Sequence, residues 1–155
     1  MILIADSGSS KTDWRVIDDQ GKISQIRTTG FNPYNQTASQ MEEGMRTPDL
    51  LALRGKIRQV YFYGAGCTSP KNKAVVGQTL KRFYPEAGEI TVNHDLLAAA
   101  RATCGHNAGI ACVLGTGSNS GDYDGEKIVD NRPSPGYLLG DEGGGSYIGR
   151  QFLQD

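Results

Sequence analysis

Asp6-Ser7-Gly8-Ser9-Ser10-Lys11-Thr12 gathers a carboxylate, hydroxyls, a glycine and a lysine between the apolar run Ile2-Leu3-Ile4-Ala5 and the segment Asp13-Trp14-Arg15-Val16-Ile17-Asp18. Two strands joined by such a turn would aim backbone N–H groups, hydroxyls and an ammonium at one spot, with the Asp6 carboxylate at its mouth. That chemistry suits a phosphate and its metal ion. The same residues also suit an ordinary hairpin with a flexible Gly/Ser tip. A second turn of this kind, Gly115-Thr116-Gly117-Ser118-Asn119-Ser120, follows the apolar run Ile110-Ala111-Cys112-Val113-Leu114, as an internal duplication of one device would. Between them, Asn93-His94-Asp95 ends the short run Ile90-Thr91-Val92, and Asp95 opens an alanine-rich helix. The positive helix end keeps such a carboxylate ionised, and aspartate is also a favoured N-cap.

Whole-chain properties narrow the classes. With 16 basic and 17 acidic side chains among 155 residues, nothing suggests an electrostatic grip on nucleic acid or on an anionic membrane. The apolar runs are too short to span a bilayer and no basic-then-apolar leader opens the chain, so the expected location is cytoplasmic. Cys67, Cys104 and Cys112 are odd in number and lack a C-x-x-C pair, which reads as buried thiols of a reducing compartment rather than a disulfide framework or zinc site. The 21 glycines cluster around Gly8, Gly64 to Gly66, Gly115 to Gly117 and Gly140 to Gly145, where a backbone would have to approach a ligand or another segment closely.

The elements that must position these groups follow from hydrophobic period and turn chemistry. After the opening hairpin, Ile23 to Thr28 reads as a third strand of a meander, followed by the irregular loop Gly30-Phe31-Asn32-Pro33-Tyr34-Asn35. Short helices are expected from Thr37 to Gly44 and from Pro48 to Leu53, a strand at Val60 to Tyr63, and an amphipathic helix from Lys71 to Tyr84. With Ile90 to Val92 and the helix from Asp95, the first hundred residues give an α/β mixed sheet with helices on both faces and chemistry at strand ends. Past the hinge-like Cys104 to Gly109, new strands begin at Ile110, a hairpin is marked at Tyr123-Asp124-Gly125-Glu126, and a helix is expected from Gly143.

With both turns placed, the pattern resembles the actin-like, sugar-kinase and heat-shock ATPase superfamily and, within it, the N-acetylglucosamine kinase and BadF/BadG/BcrA/BcrD-type ATPase family. The carrying residues are Asp6 to Thr12, Asn93-His94-Asp95-Leu96-Leu97-Ala98-Ala99, Leu114 to Asn119, and Gly136-Tyr137-Leu138-Leu139-Gly140-Asp141-Glu142-Gly143. The resemblance implies an actin-like (ribonuclease H-like) ATPase domain over residues 1–105 and the beginning of a second, similar domain over 106–155. It also implies that the chain covers about half of a usual member, the later adenosine-binding part being absent, so that a fragment of a longer protein is expected. It implies ATP and Mg²⁺ as cofactors and a small-molecule sugar, such as N-acetylglucosamine, as substrate, and leaves pairing into a homodimer open.

By the same resemblance Gly8, Ser9, Ser10, Lys11 and Thr12 would hold the triphosphate from one side and Gly115, Thr116, Gly117 and Ser118 from the other. Asp6 would hold Mg²⁺ through water, Asp95 would be the general base, and Asn32, Thr116 and Asp141 would bind the sugar. His94 would be a supporting residue rather than an acid or base. The chain departs from the family where Arg132-Pro133-Ser134-Pro135-Gly136 replaces a GGWG-like stretch, which removes an apolar wall expected beside the sugar. Two other readings compete: an ATPase that activates electron transfer, which would need an iron–sulfur cluster and grouped cysteines, and a non-catalytic sugar- or nucleotide-sensing module.

Overall fold

The computed structural model describes residues 1–132, 134–136 and 138–154, arranged as two compact units, Met1–Asp95 and Leu96–Asp155. The first unit therefore ends at Asp95, ten residues before the boundary expected from sequence, because the helix opened by Asp95 groups with the residues that follow it.

In the first unit β1 (Ile2–Ser7), β2 (Lys11–Ile17) and β3 (Ile23–Thr29) form the expected antiparallel meander. Helices α1 (Ala38–Gly44) and α2 (Pro48–Leu51) lead to β4 (Gln59–Gly64), and α3 (Pro70–Phe83) leads to β5 (Glu89–His94). β4 pairs parallel with β1 and β5 parallel with β4, giving the order β3-β2-β1-β4-β5. The period of two in the strands sends Leu3, Ala5, Trp14, Val16, Val60 and Phe62 to one face. There they form one core with Met41 of α1, Met45 just past its end, Leu50 of α2 and Val76, Leu80 and Phe83 of α3. Trp14 and Phe62 meet edge to face with centroids 6.0 Å apart.

Local chemistry sets the helix starts. Thr37 and Gln40 close a capping box on α1, Thr47 caps α2 ahead of Pro48, and Ser69 caps α3 ahead of Pro70. Such caps satisfy N–H groups that the first helical turn leaves without partners.

The second unit contains α4 (Asp95–Cys104, less its first residue), β6 (Gly109–Leu114), β7 (Ser118–Tyr123), β8 (Ile128–Asn131) and α5 (Gly145–Gln154). The strands form an antiparallel meander in the order β6-β7-β8, with an irregularity at Asp122/Tyr123. β7 begins at Ser118, so the turn is shorter than the expected Gly115 to Ser120. Gly121 of β7 lets Leu96 of α4 lie close, since a Cβ there would come within 3.0 Å of the Leu96 side chain. Tyr123 donates its hydroxyl hydrogen bond to the carbonyls of Gly125 (2.7 Å) or Gly105 (3.0 Å), tying the β7–β8 turn to the end of α4. No helix among the described residues is long and apolar enough to cross a membrane.

Candidate functional site

The β1–β2 register sets Asp6 opposite Asp13 and Ser7 opposite Thr12, leaving Gly8, Ser9 and Ser10 as the turn. The Gly8 N–H donates to the Lys11 carbonyl at 2.9 Å. Below the turn, the Ser7 and Thr12 hydroxyls meet at 2.7 Å and also reach the Phe31 and Thr29 carbonyls at 3.2 Å. Both residues are fully buried. The Thr12 hydroxyl, expected among the phosphate donors, is thus spent inside the protein, whereas Ser9, Ser10 and Lys11 are exposed.

The loop after β3 presses directly on this turn. A Cβ on Gly30 would collide with the Gly8 carbonyl oxygen and lie 2.6 Å from the backbone of Lys11 and of Ser9, so only glycine allows the approach. Two residues on, Asn32 donates from Nδ2 to Ser9 Oγ at 3.3 Å, while its Oδ1 accepts from the Tyr34 N–H at 3.0 Å. Asn32 Oδ1 also fills the space beside Gly66, whose φ of +77° already favours glycine. The Gly66 carbonyl in turn accepts from Asn72 Nδ2 of α3 at 2.9 Å. The expected sugar residue and an expected phosphate donor are therefore hydrogen-bonded neighbours. Gly66 belongs to a glycine cluster where a close approach was expected, whereas Gly30 and Asn72 are supports that sequence reasoning missed.

The parallel strands bring the carboxylates together. Asp6, Tyr63 and Asn93 share one register row, and Ser7, Gly64 and His94 the next, so Asp6 and Asp95 stand at the same carboxyl edge of the sheet. Ligands of open α/β sheets bind outside that edge. Burial, then the Asp95 charge and then the Asp13 charge raise the Asp6 carboxyl above its ordinary range, with Lys11 and Arg15 opposing. This excess of negative charge fits a divalent cation. Among the described residues no group of three or more His, Cys, Asp or Glu forms a protein cage. Mg²⁺ keeps most of its water and is commonly held by one or two carboxylates together with phosphate oxygens.

Neighbouring groups are quieter. Burial holds the His94 imidazole below its usual value, against the pull of Asp95. Of the three cysteines expected to be buried, Cys67 is completely so, and burial pushes its thiol up to about 11, whereas Cys104 at the end of α4 is half-buried and Cys112 of β6 is exposed. Asp13 is occupied by Arg27 (2.9 Å), Gln25 (2.8 Å) and Lys11 (3.4 Å). These partners, Arg27 first, hold it at about 2.

In the second unit the Gly115–Gly117 turn is gripped by the segment leading into α5. Gly145 and Ser146 N–H groups donate to the Gly115 and Thr116 carbonyls at 2.8 and 3.0 Å. The Asp141 carboxylate lies over Gly117, where a Cβ would come within 3.0 Å of it, and accepts weakly from the Ser118 N–H at 3.4 Å. Asp141 has a φ of 61°, the one non-glycine residue with positive φ among those described. Ser134 holds it there, its Oγ accepting from the N–H groups of Asp141 (2.7 Å) and Gly136 (3.0 Å). Thr116 is exposed. Each unit thus sets a Gly/Ser turn against a residue expected to bind sugar. Pro133, Tyr137 of the Gly136 to Gly143 motif, and Asp155 lie outside the described residues.

No family model matches the chain, and neither does any curated protein. Solved structures do. A protein described as "putative N-acetylglucosamine kinase" from Porphyromonas gingivalis is 46% identical with a TM-score of 0.91, over 99% of this chain and 55% of that one. A protein of the same description from Chromobacterium violaceum is 19% identical at a TM-score of 0.72, with the same coverage of each chain. An ROK hexokinase from Thermus thermophilus is 15% identical at 0.61, over 99% of this chain and 63% of its own. The chain therefore spans little more than half the length of the first two proteins it matches. These likenesses show the actin-like fold expected from the sequence.

Proposed function

We propose, on the premise that this chain has the actin-like fold of sugar kinases, that it supplies sugar- and phosphate-binding residues of an ATP-dependent kinase for an amino sugar such as N-acetylglucosamine. The observation that carries the reading is the meeting of Asp6 and Asp95 at one carboxyl edge, beside a turn whose Ser9 is bonded to Asn32.

Phosphoryl transfer asks a protein for positioned donors, charge neutralisation and a base for the acceptor hydroxyl. Around Gly8, whose own N–H is held by the Lys11 carbonyl, Ser9, Ser10 and Lys11 offer backbone N–H groups, two hydroxyls and an ammonium to the phosphates. Thr12 holds the turn from beneath. In the second unit Gly115, Thr116, Gly117 and Ser118 offer a similar set. Asp6 would hold Mg²⁺ through its waters, and the metal when bound would neutralise charge on the phosphates. Asp95, at the head of α4, accepts the proton of the sugar hydroxyl. Asn32, Asp141 and Thr116 orient the sugar.

The test measures ADP release and sugar-phosphate formation with hexosamines, N-acetylated hexosamines and plain hexoses. The expected result is sugar-dependent release, greatest with N-acetylated hexosamine and about 10²–10⁴-fold lower in Asp95→Asn. Release without any sugar phosphate would instead favour an ATPase or a sensing module. An Asp95→Asn variant acting at full rate would remove Asp95 from the mechanism.

A further inference from the structure

Asn32 has little hydrogen-bonding capacity left for a ligand. Its N–H donates to Gln36 Oε1 at 2.8 Å, and its carbonyl accepts from the N–H groups of Asn35 and Gln36, each at 3.0 Å. In the side chain, Oδ1 accepts from the Tyr34 N–H and lies against Gly66. A backbone N–H can only donate, so the atom facing it is the oxygen, and Nδ2 is the end turned toward Ser9. Nδ2 carries two hydrogens. One goes to Ser9 Oγ, and the second meets no acceptor among the described residues.

Ser9 is set in the same sense. Its Oγ accepts from Asn32, which leaves the hydroxyl hydrogen to be donated elsewhere, and no described residue takes it. The backbones beneath the two side chains are locked together. The Phe31 N–H donates to Ser7 Oγ at 3.2 Å, and Gly30 leaves no room for a Cβ against Gly8, Ser9 and Lys11. The bond above this seam is looser. At 3.3 Å it lies past the usual N–H···O range, and Ser9 is exposed, so both side chains keep freedom that a ligand would remove.

We infer that Asn32 and Ser9 form a relay through which sugar and phosphate strengthen each other's binding, an inference that rests on the kinase reading above. A sugar oxygen takes the second Nδ2 hydrogen, and a phosphate oxygen takes the Ser9 hydrogen. Both ends of the pair can only donate, so both ligands must present acceptors. At the sugar end the partner is a hydroxyl or carbonyl oxygen and never an ammonium. A phosphate that fixes the Ser9 hydroxyl also fixes the partner of Asn32, so the sugar meets a side chain already ordered. By linkage the sugar does the same for the phosphate.

The test is calorimetric titration of the chain with N-acetylglucosamine and with pyrophosphate in Mg²⁺, each alone and each with the other at saturation. Each ligand should tighten the other by the same factor, about 5-fold or more. Ser9→Ala should bring that factor to unity while both ligands still bind, and Ser9→Thr, which keeps the hydroxyl, should preserve the coupling. Asn32→Asp can accept but not donate, so it would take the Ser9 hydrogen for itself and abolish the coupling as well. Ligands that bind without coupling, or a factor that survives Ser9→Ala, would overturn the relay and leave the kinase reading standing. Binding of neither ligand would count against the kinase reading, and the pair is then judged without ligands. Ser9→Ala should move one of the two Asn32 side-chain N–H signals in a nitrogen-correlated NMR spectrum and leave the Tyr34 amide in place. Unmoved Asn32 signals overturn the pairing itself.

Discussion

Asp6 should be a residue whose removal makes the protein more stable. Its carboxyl is raised by burial and by Asp95 and Asp13, so the unfolded chain ionises it more readily than the native state does. A raised carboxyl favours the folded state below its unfolded value of about 3.9, and that advantage is lost as pH rises through the folded value. Asp6→Asn should therefore raise the urea midpoint at pH 7, the gain disappearing below pH 3.8, while phosphotransfer is lost. Added Mg²⁺ should raise the melting temperature of the parent protein and not of Asp6→Asn. Asp13 has the opposite sign. Its value of about 2 means that its contribution is complete above pH 3.8 and fades as pH falls toward 2. Arg27→Gln should accordingly lower stability at pH 6 but not at pH 1.5, as read by urea unfolding at each pH.

At the scale of elements, the β1–β2 hairpin is two parts: an exposed tip, which the proposed function sets against the phosphates, and a buried hydroxyl pair that fixes the tip. Thr12→Val keeps the shape and removes the hydroxyl between Ser7 and Thr29, so it should cost about 1–3 kcal/mol of stability. ADP affinity per folded molecule should stay unchanged. Ser9→Ala should do the reverse, leaving stability alone and weakening both nucleotide and sugar, because Ser9 bonds to Asn32. Gly30→Ala should damage both, since its methyl would enter the turn backbone, with an overpacking cost of about 1–3 kcal/mol. The hairpin, the Asn32 loop and the strand-to-helix step at Asp95 were legible in the sequence because each is local: a turn composition, an Asn-Pro pair, a carboxylate between two periodicities. Gly30 against the tip, Ser134 beneath Asp141 and Asn72 behind Gly66 were not. Those contacts join segments distant in the chain, and residue type alone does not say where a backbone will be approached.

For the whole molecule, stability should be uneven along the chain. The continuous core from Leu3 to Ala87 lies wholly within the first unit, with Trp14, Tyr84, Phe62 and Phe83 as its largest fully buried side chains. Apolar burial in the second unit is limited to Leu96, Leu97, Ala100, Ala111 and Tyr123 among the described residues. Burying a Leu or Phe side chain contributes about 1.5–3 kcal/mol, so the first unit holds most of the hydrophobic stabilisation. Opening of the second unit is then a local event of lower free energy than global unfolding. Native-state hydrogen exchange followed by mass spectrometry should find the amides of β1 and β4 slowest, those of β7 intermediate, and those of α5 exchanging earliest. Phe62→Ala, at about 3–5 kcal/mol, should accelerate β1 and β4 while leaving α5 unchanged. Exchange of α5 as slow as that of β1 would mean that the exposed Ile148 and Phe152 are already covered in solution.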